Sequence, residues 1–297
     1  MNPLLVTGGT GQLARALDSR APDFATLGFA PRRVGRPYVD FDRPATIDAA
    51  FAEISPALVI NAAGWTAVDA AESHPDEAAR ANDTGPARLA ALCADAAIPF
   101  VHISTDYVFD GAKGAPYVET DLPNPICVYG ASKLAGEKRI LALRGKSVIL
   151  RTAWIYAAEG NNFVRTMLAA AQKHDSLRVV ADQRGCPTSV DDLADAIFSV
   201  AERVASGWRD NYGGVFHAAG SGDTSWHRFA EAIFGSARRF GRPVPSVAPI
   251  ATAEWPTQAR RPADSRLDCS ALADVFGIRL PDWRASLDRV VAEICQR

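Results

Sequence analysis

Tyr129 and Lys133 stand four residues apart in the stretch Tyr129-Gly130-Ala131-Ser132-Lys133-Leu134-Ala135-Gly136-Glu137. If that stretch is helical, the spacing sets phenol and ammonium on one face. Such a pair can transfer protons. A nearby positive charge favours tyrosinate and draws the phenol down from its usual value near ~10. A second reactive group, Ser104-Thr105-Asp106-Tyr107-Val108-Phe109, closes an apolar run that starts at Phe100. Thr105 is placed to hydrogen-bond the carbonyl oxygen that Tyr129 would protonate. The plainer readings are that Thr105 caps strand-end backbone and Asp106 starts a turn.

A third stretch offers backbone rather than side chains. Thr7-Gly8-Gly9-Thr10-Gly11-Gln12-Leu13-Ala14 follows one apolar run and opens an amphipathic one. Gly8 and Gly11 permit a tight turn and close approach to a pyrophosphate, and small Ala14 lets the helix pack on the sheet. Unpaired N–H groups at the helix start then face the phosphates. This predicts a dinucleotide site. The region expected to meet the adenosine ribose, Phe29-Ala30-Pro31-Arg32-Arg33, has no carboxylate and two arginines. Arg32 and Arg33 therefore favour the 2′-phosphate of NADPH, with NADH as the alternative, unless they form only a solvated basic loop. Asp40 and Phe41 are candidates to flank the adenine.

The elements that must carry these groups alternate. Leu4 to Thr7, Leu27 to Phe29, Leu58 to Asn61, Phe100 to Ser104 and Ser147 to Arg151 read as buried strands. Gln12 to Arg20 and the alanine-rich Glu77 to Ala97 read as helices between them, so the pattern predicts parallel βαβ units of an α/β fold. Beyond about residue 155 helices are expected at Phe163 to His174, Val190 to Ala205, Ser225 to Arg239 and Trp283 to Gln296. Loops are expected at Gln183 to Thr188, Arg242 to Pro249 and Trp255 to Arg266.

Composition narrows the partners. In 297 residues with 48% hydrophobic side chains and a formal charge of −2, nothing favours nucleic acid or an anionic membrane surface. No apolar run approaches the ~20 residues of a membrane span, and the start Met1-Asn2-Pro3-Leu4 does not read as a signal peptide. The five cysteines are scattered and odd in number, which suggests reduced thiols in the cytoplasm and no structural metal.

Taken together, the glycine turn, Asn61-Ala62-Ala63-Gly64-Trp65-Thr66-Ala67-Val68-Asp69, the Ser104 to Gly111 stretch and the Tyr129 to Glu137 stretch resemble the extended short-chain dehydrogenase/reductase family. Within it the sequence is most similar to the dTDP-4-dehydrorhamnose reductases. The similarity continues through Arg151 to Tyr156, Gly160 to Val164, Asp182 to Thr188 and Arg261 to Leu267. It implies a Rossmann-type doubly wound parallel sheet over residues 1–154. A smaller substrate-binding lobe would follow over 155–297, with some elements returning to the sheet. It also implies reduction of the C4 keto group of a dTDP-linked deoxysugar by NAD(P)H. Tyr129 would supply the proton, Lys133 the ribose contact, and Thr105 a substrate hydrogen bond.

By the same resemblance, Gly8, Thr10, Gly11, Gln12, Leu13, Ala63, Gly64, Trp65, Thr66 and Ile103 would line the cofactor. Asp106 and Trp154 would meet the sugar. Asn161, Asn162, Arg184, Arg261 and Arg266 would hold the diphosphate and base. Some relatives are described as magnesium-bridged dimers using a carboxylate on the first helix. Ala14-Arg15-Ala16-Leu17 lacks that acid, so no metal is predicted, and a homodimer is left open. Two other readings stand beside this one: a non-catalytic regulatory branch, which would lose Thr105, Tyr129 and Lys133, and an epimerase or dehydratase. A dehydratase would want a glutamate after Asp106, where this chain has Tyr107.

Overall fold

The computed structural model describes residues 1–297. Its centre is a six-stranded sheet. Strands β1 (Asn2–Thr7), β2 (Phe29–Val34), β3 (Leu58–Asn61), β4 (Phe100–Thr105) and β5 (Ser147–Thr152) are joined by a sixth strand, Gly214–His217. The spatial order is β2-β1-β3-β4-β5 and then Gly214–His217, with every pairing parallel. Because strand side chains alternate, neighbours in sequence bury into opposite layers. Leu4 and Val6 of β1, Leu58 and Ile60 of β3, and Val148 and Leu150 of β5 enter one core. Leu5, Val59 and Ile149 enter the other.

The first core is closed by the helices Gln12–Ser19 and Val190–Ala205, through Leu13, Leu17, Leu193, Ile197 and Val200. The second is closed by Pro44–Ile54, Gly85–Asp95 and Val128–Ala142, through Ile47, Leu89 and Ile140. Both faces of a wholly parallel sheet are covered, as the missing polar alternation in its strands demands. This is a doubly wound, Rossmann-type α/β fold.

A separate core of Tyr156, Val164, Phe229, Phe234, Trp283 and Val290, among others, organises the smaller lobe. Its helices are Phe163–Ala171, Trp226–Arg238 and Trp283–Gln296, beside a parallel ribbon of Ser176–Val180 with Ser246–Ile250. The chain beyond residue 155 is therefore not all lobe. Helix Val190–Ala205 packs on the sheet, and Gly214–His217 extends it.

Several sequence expectations are corrected. The strand expected at Leu27 to Phe29 runs instead from Phe29 to Val34 through Pro31, and Gly28 turns ahead of it at φ +80°. An edge strand tolerates proline because one side of its backbone needs no partner. The helix expected from Glu77 to Ala97 is broken into Pro75–Ala79, a π-turn Arg80–Thr84 and Gly85–Asp95. The Arg242 to Pro249 loop holds strand Ser246–Ile250. Gln183 to Thr188 contributes to the two-residue strands Arg184–Gly185 and Thr188–Ser189.

Candidate active site

The chain leaves β1 toward β2 on one side, while β3 pairs with β1 on the other. At such a reversal the loops beyond the strands' carboxyl ends diverge and leave a crevice. A cavity of about 1100 Å³ lies there. Its walls are the glycine turn, Ala62 to Thr66 beyond β3, Ile103 to Tyr107 at the end of β4, and Thr152 to Ile155 beyond β5. Tyr129, Lys133, Gly160, Asn161 and Trp226 also line it, as do Arg33, Arg36 and Phe41.

The turn's shape is set by backbone. Gly8 sits at φ +114°, and a Cβ there would lie 2.9 Å from the Ala62 carbonyl oxygen. Gly35, just past β2, passes so close that its Cβ would lie 2.6 Å from the Gly9 Cα. The turn is fastened by Gly9 N–H donating to Val34 O and Gly11 N–H donating to Gly8 O, each at 2.8 Å. No side chain caps the helix that begins at Gln12, so its first-turn N–H groups are left for another acceptor. A side-chain-free cradle with uncapped donors fits a pyrophosphate.

Tyr129 and Lys133 lie on the first turns of helix Val128–Ala142, whose start is capped by Cys127 Sγ accepting from Gly130 N–H. Lys133 is buried, and its Nζ donates to Ile103 O at 3.1 Å. Burial pulls its pKa down to about 8, with Glu137, one turn on, drawing it back up. Tyr129 does not behave as its spacing suggested. Burial pushes its phenol above the ordinary value, the Thr105 hydroxyl bonded to it opposes, and Asp106 and Cys127 add to the rise. The proton stays on the phenol throughout the neutral range, and Lys133 is not among the groups that shift it, so Tyr129 as it stands is a proton donor, not a tyrosinate.

Asp106 is 2% exposed. Its Oδ1 accepts from Thr105 Oγ1 at 3.0 Å, and its Oδ2 has no hydrogen-bond partner. Burial raises this carboxyl to about 7, against the pull of the neighbouring Ser265 and Thr105 hydroxyls. The helix is fastened to the sheet beneath by a buried ion pair. Arg151 of β5 donates to both Glu137 oxygens, at 2.9 and 2.7 Å, and Ser104 of β4 donates to the same carboxylate.

The other candidates divide. Gly8, Thr10, Gly11, Gln12, Leu13, Arg33, Phe41, Ala63, Gly64, Trp65, Thr66, Ile103, Thr105, Asp106, Trp154 and Asn161 all line the cavity. Arg32 and Asp40 do not: Arg32 is exposed, and Asp40 pairs with Arg36 and Arg43. Asn162 lies behind the wall, capping Phe163–Ala171 and donating to Gln12 Oε1 at 3.0 Å. Arg184 pairs with Asp223, Arg266 with Asp264, and Arg261 with both oxygens of Asp69. None of these three arginines is part of the cavity wall.

Sequence reasoning missed Arg36, Asn82 and Trp226. Arg36 lines the cavity beside Arg33. It was hidden because β2 was placed too early, which drew attention to Arg32. Asn82 sits in the π-turn and clamps the cavity loop: its Oδ1 accepts from Trp65 N–H at 2.8 Å, and its Nδ2 donates to Trp65 O and Ser132 Oγ. Gly85-Pro86 marks a helix break that the continuous reading of Glu77 to Ala97 passes over, and π-turns gather at functional sites.

Comparison with known proteins agrees with this geometry. The model of the RmlD substrate binding domain matches residues 1–296. A dTDP-4-dehydrorhamnose reductase of Sinorhizobium fredii is 45% identical over 290 residues, 97% of this chain and 96% of its own. The crystal structure of a dTDP-4-dehydrorhamnose reductase from Clostridium acetobutylicum superposes with a TM-score of 0.89 at 37% identity, covering 98% of each chain. That of the Bacillus anthracis dTDP-4-dehydrorhamnose reductase, solved in complex with NADP, also gives 0.89, at 32% identity, over 98% of this chain and 99% of its own. No helix here is long and apolar enough to cross a membrane. With the fold, the cradle and the buried Tyr129–Lys133 helix in place, the chain belongs to the RmlD substrate-binding-domain family.

Proposed function

We propose that this protein is an NADPH-dependent oxidoreductase that reduces the C4 keto group of dTDP-4-dehydro-β-L-rhamnose, giving dTDP-β-L-rhamnose. The observation that carries this reading is convergence: Thr105, Tyr129 and Lys133 face the same cavity as the glycine cradle. The names of the relatives and the NADP-bound relative support it.

When bound, NADPH supplies the hydride that adds to C4. The protein's part is the proton. As negative charge develops on the sugar oxygen, the Tyr129 O–H bond breaks and a new O–H bond forms on the sugar. A phenol that burial keeps protonated arrives ready for that step. Lys133, with a pKa of about 8, is charged at neutral pH and offsets the phenolate left behind. Thr105 orients the phenol and bonds the same oxygen, while Asp106 and Trp154 bound the sugar.

Gly8, Thr10, Gly11, Gln12 and Leu13 are assigned to the pyrophosphate. Ala63, Gly64, Trp65, Thr66 and Ile103 take the ribose and nicotinamide side. Phe41 takes the adenine, and Arg33 with Arg36 the 2′-phosphate. Asn161 stands at the sugar-nucleotide end, and Arg184, Arg261 and Arg266 reach a diphosphate only by leaving their present carboxylates. Residues 1–154 form the dinucleotide-binding part, which also gives Thr105, Asp106 and Trp154 to the sugar, and 155–297 form mainly the substrate lobe, with Val190–Ala205 and Gly214–His217 belonging structurally to the first part. Five free thiols suit a reducing, cytoplasmic setting.

Incubation with dTDP-4-dehydrorhamnose and each reduced nicotinamide, followed by nicotinamide absorbance, tests the reading. Stoichiometric loss, with a lower KM for NADPH than for NADH, is expected. Conversion of the sugar with no net cofactor oxidation would instead identify an epimerase or dehydratase.

A further inference from the structure

We propose that Trp226 is a positioning residue for sugar recognition: it backs Trp154 so that a single indole face meets the carbon-rich side of a 6-deoxy sugar. The inference rests on the reading of function above. Trp154 follows β5 at φ +46°, in the left-handed region that a bulky residue seldom enters. A strained aromatic on a cavity wall marks an orientation the surroundings impose. Gly185 supplies the slot for its edge, since a Cβ there would lie 2.4 Å from Trp154 Cε2. Gly185 pairs with Thr224, two residues before Trp226, so one ribbon supplies both the slot and the backing plate.

The two indoles lie face to face, with centroids 3.5 Å apart and planes 8° from parallel. Free rings prefer offset or edge-on contact, so this overlap is set by the chain around them. Phe163 packs against Trp226 at a 53° tilt with centroids 4.6 Å apart, and Ser225 caps its helix. With one face covered, Trp154 has one face left to offer. A flat π surface packs well on ring C–H groups and a methyl. It leaves an added hydroxyl without a partner, and so selects a sugar carrying methyl over hydroxymethyl.

The test uses the full chain with NADP⁺ present and titrates dTDP-β-L-rhamnose, and separately dTDP, by calorimetry. Wild-type protein that does not bind dTDP-β-L-rhamnose overturns the reading of function and this inference with it. Given wild-type binding, Trp226→Leu is expected to weaken dTDP-β-L-rhamnose about tenfold, while dTDP and NADP⁺ stay within about twofold and Trp226→Phe recovers most of the loss. In a Trp154→Leu background, Trp226→Leu should add little. Unchanged sugar-nucleotide affinity in Trp226→Leu, an equal loss for all three ligands, or fully additive losses in the double variant each overturn the inference.

Discussion

The glycine turn beyond β1 and the arginine loops of the lobe both stand where a diphosphate is expected, yet they are built in opposite ways. The turn is backbone. Its donors are fixed by Gly8, Gly9 and Gly35 crossing too closely for any side chain, and they need no rearrangement to receive an anion. The loops are side chains. Arg184, Arg261 and Arg266 each already hold a carboxylate and must exchange it. A floor that is preset and a rim that is exchangeable predict different responses to substitution.

The preset part of the cavity also includes the proton donor on helix Val128–Ala142, and it is most sharply probed there. Tyr129→Phe keeps the ring and removes only the hydroxyl, so turnover should fall by about 10²–10⁴-fold while NADPH binding, read by fluorescence titration, is unchanged. Retained turnover would show that the preset geometry does not carry the chemistry.

The next effect is on stability. Asp106 is an acid whose folded pKa, about 7, exceeds its reference value of 3.8. The folded state therefore holds this proton more tightly than the unfolded chain. The penalty is absent below about pH 4, grows as pH rises, and is complete above about 7, where it reaches at most about 4 kcal/mol. Asp106→Asn should raise the Tm at pH 8 and lose that gain near pH 4. A gain that does not depend on pH would mean Asp106 is not strained by burial.

The smallest effect belongs to the rim. The Arg261–Asp69 side chains are 22% and 42% exposed, and a pair so placed is worth under about 1 kcal/mol. Asp69→Asn should therefore leave the Tm nearly unchanged and move the KM for the sugar nucleotide only a few-fold, more at low ionic strength than at high. A drop of many degrees in Tm would make the rim as rigid as the floor and erase the contrast.

The same contrast explains what could be read from the sequence. The cradle, the strands bearing Asn61 and Thr105, and the Tyr129–Lys133 helix are local. Glycine spacing, apolar runs and an i,i+4 pair each carry their meaning within a dozen residues. Arg36 was missed because β2, expected at Leu27 to Phe29, runs on to Val34, so its end lies beyond the Arg32-Arg33 pair. Asn82 was missed because the alanine-rich run reads as one helix, although Gly85-Pro86 interrupts it just where the π-turn ends. The arginines of the lobe could be named as guanidiniums, but Asp69 and Asp223, the partners of Arg261 and Arg184, are 192 and 39 residues away, and no local pattern pairs them; only Arg266 has its carboxylate, Asp264, close in sequence. The rise in the Tyr129 phenol came from the surrounding walls, which spacing alone does not describe.

The buried Arg151–Glu137 pair has a consequence for how this protein can change over generations. Replacing either member alone strands a charge in the interior at a cost of about 3–5 kcal/mol, a large part of a typical domain's whole stability. The strand position and the helix position can thus drift only together, and lineages that keep one are constrained to keep the other, whatever sugar they have come to use.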